Sequence, residues 1–175
     1  IPYLPISFFK SHEVKSNTAA TEIVFSSSGT TGMIQSRHLV TDVRVYEDSF
    51  NKAFEQFYGN IESTCLLALL PSYLERDGSS LIYMVDALLK QSKHPESGYF
   101  LHNHEDLFLK LKKLQAAGQK TLLIGVTYAL LDFLEKYTLD FPELIVMETG
   151  GMKGKRKEMV REELHDALKA GFGVN

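Results

Sequence analysis

From Asp42 to Tyr58 apolar residues recur at three- and four-residue steps, at Val43, Tyr46, Phe50, Phe54 and Phe57. That period predicts an amphipathic helix with these side chains on the core, Thr41 or Asp42 as its cap and Gly59 just past its end. Elsewhere the pattern changes to short, unbroken apolar runs. "CLLALLP" from Cys65 shows no alternation and predicts a strand buried on both faces, "TLLIGVT" from Thr121 to Thr127 predicts another buried strand, and "LIVMETGG" from Leu144 predicts a further strand running into a glycine turn. "TEIVF" (Thr21 to Phe25) and "GYFLH" (Gly98 to His102) predict two more strands. Helical patterns fill the intervals. One follows "ERDGSS" through Leu89; one is capped by Asn103, lined by Leu107, Leu111 and Leu114, and closed by Gly118. Another runs to about Tyr137, and a last one spans Lys157 to Ala170, burying Val160, Leu164 and Leu168 and stopping at Gly171.

Apolar strands alternating with helices predict an α/β domain, a three-layer sandwich with a mostly parallel sheet. In such sheets ligands bind at the carboxyl ends of the strands. Two glycine-rich segments, Ser26 to Gly32 and Glu148 to Gly154, fall at ends of that kind.

Composition narrows the picture. With 175 residues, 44% of them hydrophobic, the chain suits one domain with a sizeable core. A net charge of -3 excludes the basic footprint of a nucleic-acid binder. No apolar run approaches the ~20 residues that span a bilayer. The single cysteine, Cys65, lies in a core strand and forms no internal disulfide, which points to a reducing, cytoplasmic setting. The chain opens at "IPYLP" without a methionine and closes at "AGFGVN", so both ends read as cut.

The first glycine segment, "SSSGTTG", brings two glycines together with the hydroxyls of Ser27, Ser28, Thr30 and Thr31. Gly29 and Gly32 let backbone N–H groups turn inward as an anion nest, and the short hydroxyls add donors. Arg37 and His38 follow and supply positive charge. A phosphate-rich ligand and a plain polar turn are both compatible with this composition. The segment is not a P-loop, since Met33 stands where that motif needs lysine.

A strand followed by Ser27, Ser28, Gly29, Thr30, Thr31 and Gly32 resembles the phosphate loop of the adenylate-forming acyl- and aryl-CoA ligase superfamily. The superfamily's following Pro-Lys is replaced by "MIQSRH", with Arg37 as the stand-in for the lysine. "YLPISFFKSHEV", "LLPSYLERDGSSLIYMV" and "ETGGMKGKRKEMVREELHDAL" extend the likeness over nearly the whole chain. Together the four blocks resemble the acyl-protein synthetases, the fatty-acid-activating subunits of the bacterial luminescence fatty-acid reductase, and their relatives outside luminescence.

That resemblance implies part of the large amino-terminal domain of an adenylate-forming enzyme. It implies ATP and Mg²⁺ as cofactors, a fatty acid as substrate, and an acyl-carrier or reductase protein as partner. It assigns Ser27, Ser28, Gly29, Thr30, Thr31 and Gly32 to the triphosphate, Thr149, Gly150, Gly151 and Met152 to the adenine, and a catalytic share to Thr30, Thr31 and Arg37. No protein metal ligand is assigned. The superfamily's Tyr-Gly-x-Thr-Glu motif, its small carboxy-terminal domain and the acyl-accepting cysteine are not among these 175 residues, so the chain alone is expected to be close to inactive. The alternatives are a phenylacetate-type CoA ligase and a non-catalytic nucleotide-binding or assembly subunit.

Three further features enter with smaller claims. "HNHED" (His102 to Asp106) is better explained as a helix-capping segment than as a metal site. Glu148 beside the second glycine pair fits orienting a loop or the Mg²⁺ shell better than acting on substrate. Lys153, Lys155, Arg156 and Lys157 read as a solvated cluster, with phosphate or partner contact as the functional alternative.

Overall fold

The computed structural model describes residues 3–27, 34–70, 78–150 and 159–174. In chain order the elements are α1 (Phe8–Ser11), β1 (Ile23–Ser26), β2 (Arg37–Val40), α2 (Val43–Tyr58), β3 (Cys65–Leu69), α3 (Ser80–Ser92), β4 (Gly98–Tyr99), α4 (His104–Ala116), β5 (Thr121–Gly125), α5 (Thr127–Leu134), β6 (Ile145–Glu148) and α6 (Arg161–Phe172). Polar caps start the helices where the pattern predicts. Asp42 accepts the N–H of Arg44 at 3.1 Å, and Asn103 accepts that of Asp106, also at 3.1 Å. Gly59 and Gly118, at φ +74° and +60°, end α2 and follow α4.

Among the described residues the main sheet is parallel, in the order β4-β3-β5-β6, with Leu67 beside Leu123 and Leu123 beside Val146. One face of the sheet presents Leu66, Leu122, Ile124 and Met147 to α2 and α3. The pleat turns Leu69 and Gly125 the other way, where Gly125 meets Leu130 of α5. There the ring of Phe133 contacts His104 of α4 and Phe172 of α6, so α4, α5 and α6 form the third layer. The three-layer α/β sandwich is therefore observed.

Several boundaries differ from the sequence pattern. β1 is not in the parallel sheet; it pairs antiparallel with β2, Ser26 opposite Arg37. The polar start of β2 hides it from periodicity. β4 ends at Tyr99, because the N–H of Asn103 bonds back to the carbonyl of Phe100 as the chain turns into α4. α6 begins only at Arg161, leaving Val160 as its cap and 59% exposed, while Phe172 takes the buried place at its far end. Phe50 and Phe54 are core, but Phe57 is 73% exposed. Tyr58 packs against the core in its place, its ring 5.3 Å from that of Phe54.

Between β4 and the α4 layer, Glu96 accepts hydrogen bonds from Lys110 and, at 2.5 Å, from Lys113. The bond from Lys110 and then that from Lys113 hold its carboxyl down to about 2, against an ordinary 4.5. A carboxyl whose pKa falls on folding stabilises the native state above its unfolded value, and that contribution disappears as pH drops through the folded value. Urea midpoints measured at low salt should therefore fall between pH 4.5 and 2. Glu96→Gln should flatten that segment of the profile; an unchanged slope would remove Glu96 from the account.

Candidate functional site

The carboxyl ends of β3, β5 and β6 lie in one row, Leu69 beside Gly125 and Gly125 beside Glu148. Thr149 continues the row: its N–H and its hydroxyl both donate to the Gly125 carbonyl, at 3.0 and 3.2 Å. Gly150 then turns at φ +81°, with no atom of the described residues within 4 Å of where a Cβ would stand. Glycine adopts that angle without strain. Glu148 Oε1 accepts the Gly150 N–H at 2.7 Å and also the hydroxyl of Thr127, a buried residue that opens α5. Val126, the cap residue of α5, makes no side-chain capping bond, so Glu148 supplies the negative charge that end of a helix favours.

The first glycine segment approaches the same end of the molecule by another route. At the far end of α3, Ser92 donates to the Thr64 carbonyl at 2.7 Å, at the amino end of β3. Its 13 residues run about 20 Å, which brings the start of α3 to the carboxyl end of the sheet. Gly78, just before the Ser79 cap, accepts the N–H of Ser26 at 2.8 Å. β1 is thereby anchored beside the row of strand ends without belonging to the sheet. Ser27 and Ser36 close the base of the connection. The Ser27 N–H donates to the Ser36 carbonyl and the Ser36 N–H to Ser27 Oγ, both at 3.0 Å, so the Ser27 hydroxyl still has its own hydrogen to donate.

Arg37 is exposed on β2 and makes no hydrogen bond or ion pair among the described residues. His38 is engaged instead, stacked on Phe9 at 4.7 Å with Nε2 3.3 Å from Ser36 Oγ. Of the residues singled out in the sequence, the structure brings Ser27, Arg37, Glu148, Thr149 and Gly150 to this end of the fold. Ser28, Gly29, Thr30, Thr31, Gly32, Gly151 and Met152 lie outside the described residues, as do Lys153, Lys155, Arg156 and Lys157.

A cleft of about 760 Å³ opens beside β6, the edge of the sheet among the described residues. Its wall includes Thr127, Glu148 and Gly150, and α6 contributes Arg161, His165 and Lys169 at four-residue steps. Among the described lining residues Glu148 is the single carboxylate. Sequence reasoning missed this stripe and Thr127. The four-residue spacing from Arg161 could have shown the stripe, whereas the place of Thr127 depends on where β5 ends. A second cavity, about 160 Å³ and almost wholly apolar, lies between α2, α3 and the sheet, with Phe50, Phe54, Met84 and Met147 in its wall.

The remaining candidates resolve as structural. Asn103 of "HNHED" caps α4, and His104 packs edge-on against Phe133 at 5.8 Å. Burial, followed by Lys136, holds the His104 pKa below its ordinary value. Cys65 is fully buried beneath Ser97, and burial pushes its thiol up to about 11, where the nucleophilic thiolate is scarce. Among the described residues no helix is long and apolar enough to cross a membrane.

Fold and site together define an α/β protein whose parallel sheet presents a glycine turn, anchored by a carboxylate, at its carboxyl end. Comparison of the chain with protein-family models, with curated proteins and with solved structures found no match.

Proposed function

We propose that this chain carries the nucleotide-binding part of an acyl-protein synthetase, which activates a long-chain fatty acid with ATP and passes the acyl group to a protein thiol. The observation that supports this reading is the position of the described residues that lead into its two glycine-rich segments. Ser27, entering one, and Thr149–Gly150, entering the other, both leave the fold at the carboxyl end of the sheet, where α/β proteins hold ligands.

In this reading Ser27, Ser28, Thr30 and Thr31 hold the triphosphate together with the backbone of Gly29 and Gly32, and Arg37 offsets charge as pyrophosphate departs. Thr149, Gly150, Gly151 and Met152 lie against the adenine, and Gly150, which carries no side chain, suits a flat base. Mg²⁺ travels with the phosphates. The fatty-acid carboxylate attacks the α-phosphorus and pyrophosphate leaves; a thiolate on the carrier or reductase partner then attacks the acyl carbonyl and AMP leaves.

The test is ATP–pyrophosphate exchange, dependent on added carboxylic acid, by the full synthetase that contains this nucleotide-binding part. Exchange with long-chain acids, falling about 10²-fold or more in a Thr30→Ala, Thr31→Ala double variant, is the expected outcome. Exchange with aromatic acids alone, with coenzyme A needed for product, would make the protein a phenylacetate-type ligase. ATP binding with no exchange for any acid would make it a non-catalytic nucleotide-binding subunit.

A further inference from the structure

Glu148 has no part in the roles above, yet it is the group that ties the glycine turn to the body of the fold. We propose that Glu148 and Thr127 form a positioning clamp that presets the turn at Thr149–Gly150 for the nucleobase, a role that rests on the nucleotide reading above. The turn is held from two sides. Thr149 hangs from β5 through two bonds to the Gly125 carbonyl, and Gly150 hangs from α5 through Glu148 Oε1 and the Thr127 hydroxyl.

Both attachments have a physical reason to persist. Thr127 is 2% exposed, so its hydroxyl would be buried without this acceptor if the carboxylate swung away. The carboxylate also sits at the start of α5, where negative charge is favoured. Gly150, lacking a side chain, has the largest conformational freedom to lose on ordering. A turn fixed before the ligand arrives spares binding that entropy. The clamp therefore governs affinity for the base-bearing part of a nucleotide and leaves the grip on free phosphates unchanged.

Isothermal titration of the chain with Mg–ATP, adenosine and inorganic tripolyphosphate separates these contributions. Glu148→Ala is expected to weaken ATP and adenosine roughly tenfold, the loss of a charge-assisted hydrogen-bond pair of which the Thr127 member is part-buried, with tripolyphosphate unaffected. Glu148→Gln keeps an acceptor oxygen for both donors and should bind within about twofold of the wild type. Adding Thr127→Val to Glu148→Ala should cost nothing more, since both act through one contact. The Gly150 amide should exchange with solvent faster in Glu148→Ala.

Unchanged ATP affinity in Glu148→Ala would overturn the clamp while leaving the nucleotide reading intact. Equal weakening of ATP and tripolyphosphate would overturn it too, as the mark of a merely structural residue, and so would failure of Glu148→Gln to restore binding in a folded chain. A wild-type chain that binds no adenine nucleotide would overturn the nucleotide reading and the clamp's role with it.

Discussion

Phe133→Ala lowers the free energy of unfolding by about 3–5 kcal/mol, the range for a buried aromatic truncated in a packed core. Phe133 is fully buried on α5 and is the point where one helical layer meets. Its ring lies nearly parallel to that of Phe172 on α6 at 5.7 Å, tilted against Tyr137 at 5.2 Å, and edge-on to His104 of α4 at 5.8 Å. The walls of the resulting void belong to different helices, so no single side-chain rotation fills it. Collapse would need α4 or α6 to move against the sheet, and the cavity term stays in the total. Urea denaturation measures the loss directly. Phe133→Leu, which keeps most of the volume, should cost well under half as much. A loss below about 1 kcal/mol for the alanine variant would mean that this layer repacks freely, against the close packing assumed.

Gly173→Ala is expected to destabilise by about 2–5 kcal/mol, combining a left-handed backbone with a backbone collision. Gly173 ends α6 at φ +65°, and a Cβ there would stand 2.5 Å from Asp140 Cα and 2.8 Å from the Leu139 carbonyl oxygen. Neither neighbour can step aside. The 139–141 segment is tied to α6 by the Leu139 N–H on the Gly171 carbonyl at 2.8 Å and the Phe141 N–H on the Phe172 carbonyl at 3.1 Å. Gly171 provides the internal comparison. A Cβ there would meet Leu134 at 2.5 Å, but the atoms it meets are the far end of a side chain that can turn. Gly171→Ala should therefore cost less than Gly173→Ala in the same denaturant experiment. The reverse order would show that the contact between α5 and α6 is the stiffer of the two.

The sequence alone determines the layered architecture and most of its punctuation. The unbroken runs Cys65–Leu69 and Thr121–Gly125 are central strands, the stripe from Val43 is α2, and Asp42, Asn103, Gly59 and Gly118 mark ends where they are expected. These are legible because period, capping and left-handed turns act over a few adjacent residues. That each glycine segment follows a strand, one after Ser26 and the other after Glu148, is legible for the same reason.

Only the tertiary structure decides the rest. Arg37–Val40 becomes a strand because Ile23–Ser26 lies opposite it, and the bond from Ser26 to Gly78 then carries that ribbon to the end of a sheet it does not join. Tyr58, and not Phe57, turns inward because only the assembled layer defines which side of the last turn of α2 is covered. Thr127 and Glu148 are 21 residues apart and meet only because β5 and β6 are neighbours in register. Hydrogen bonds between distant segments are set by which strands pair and where each one stops, and no local pattern of apolar and polar residues encodes that.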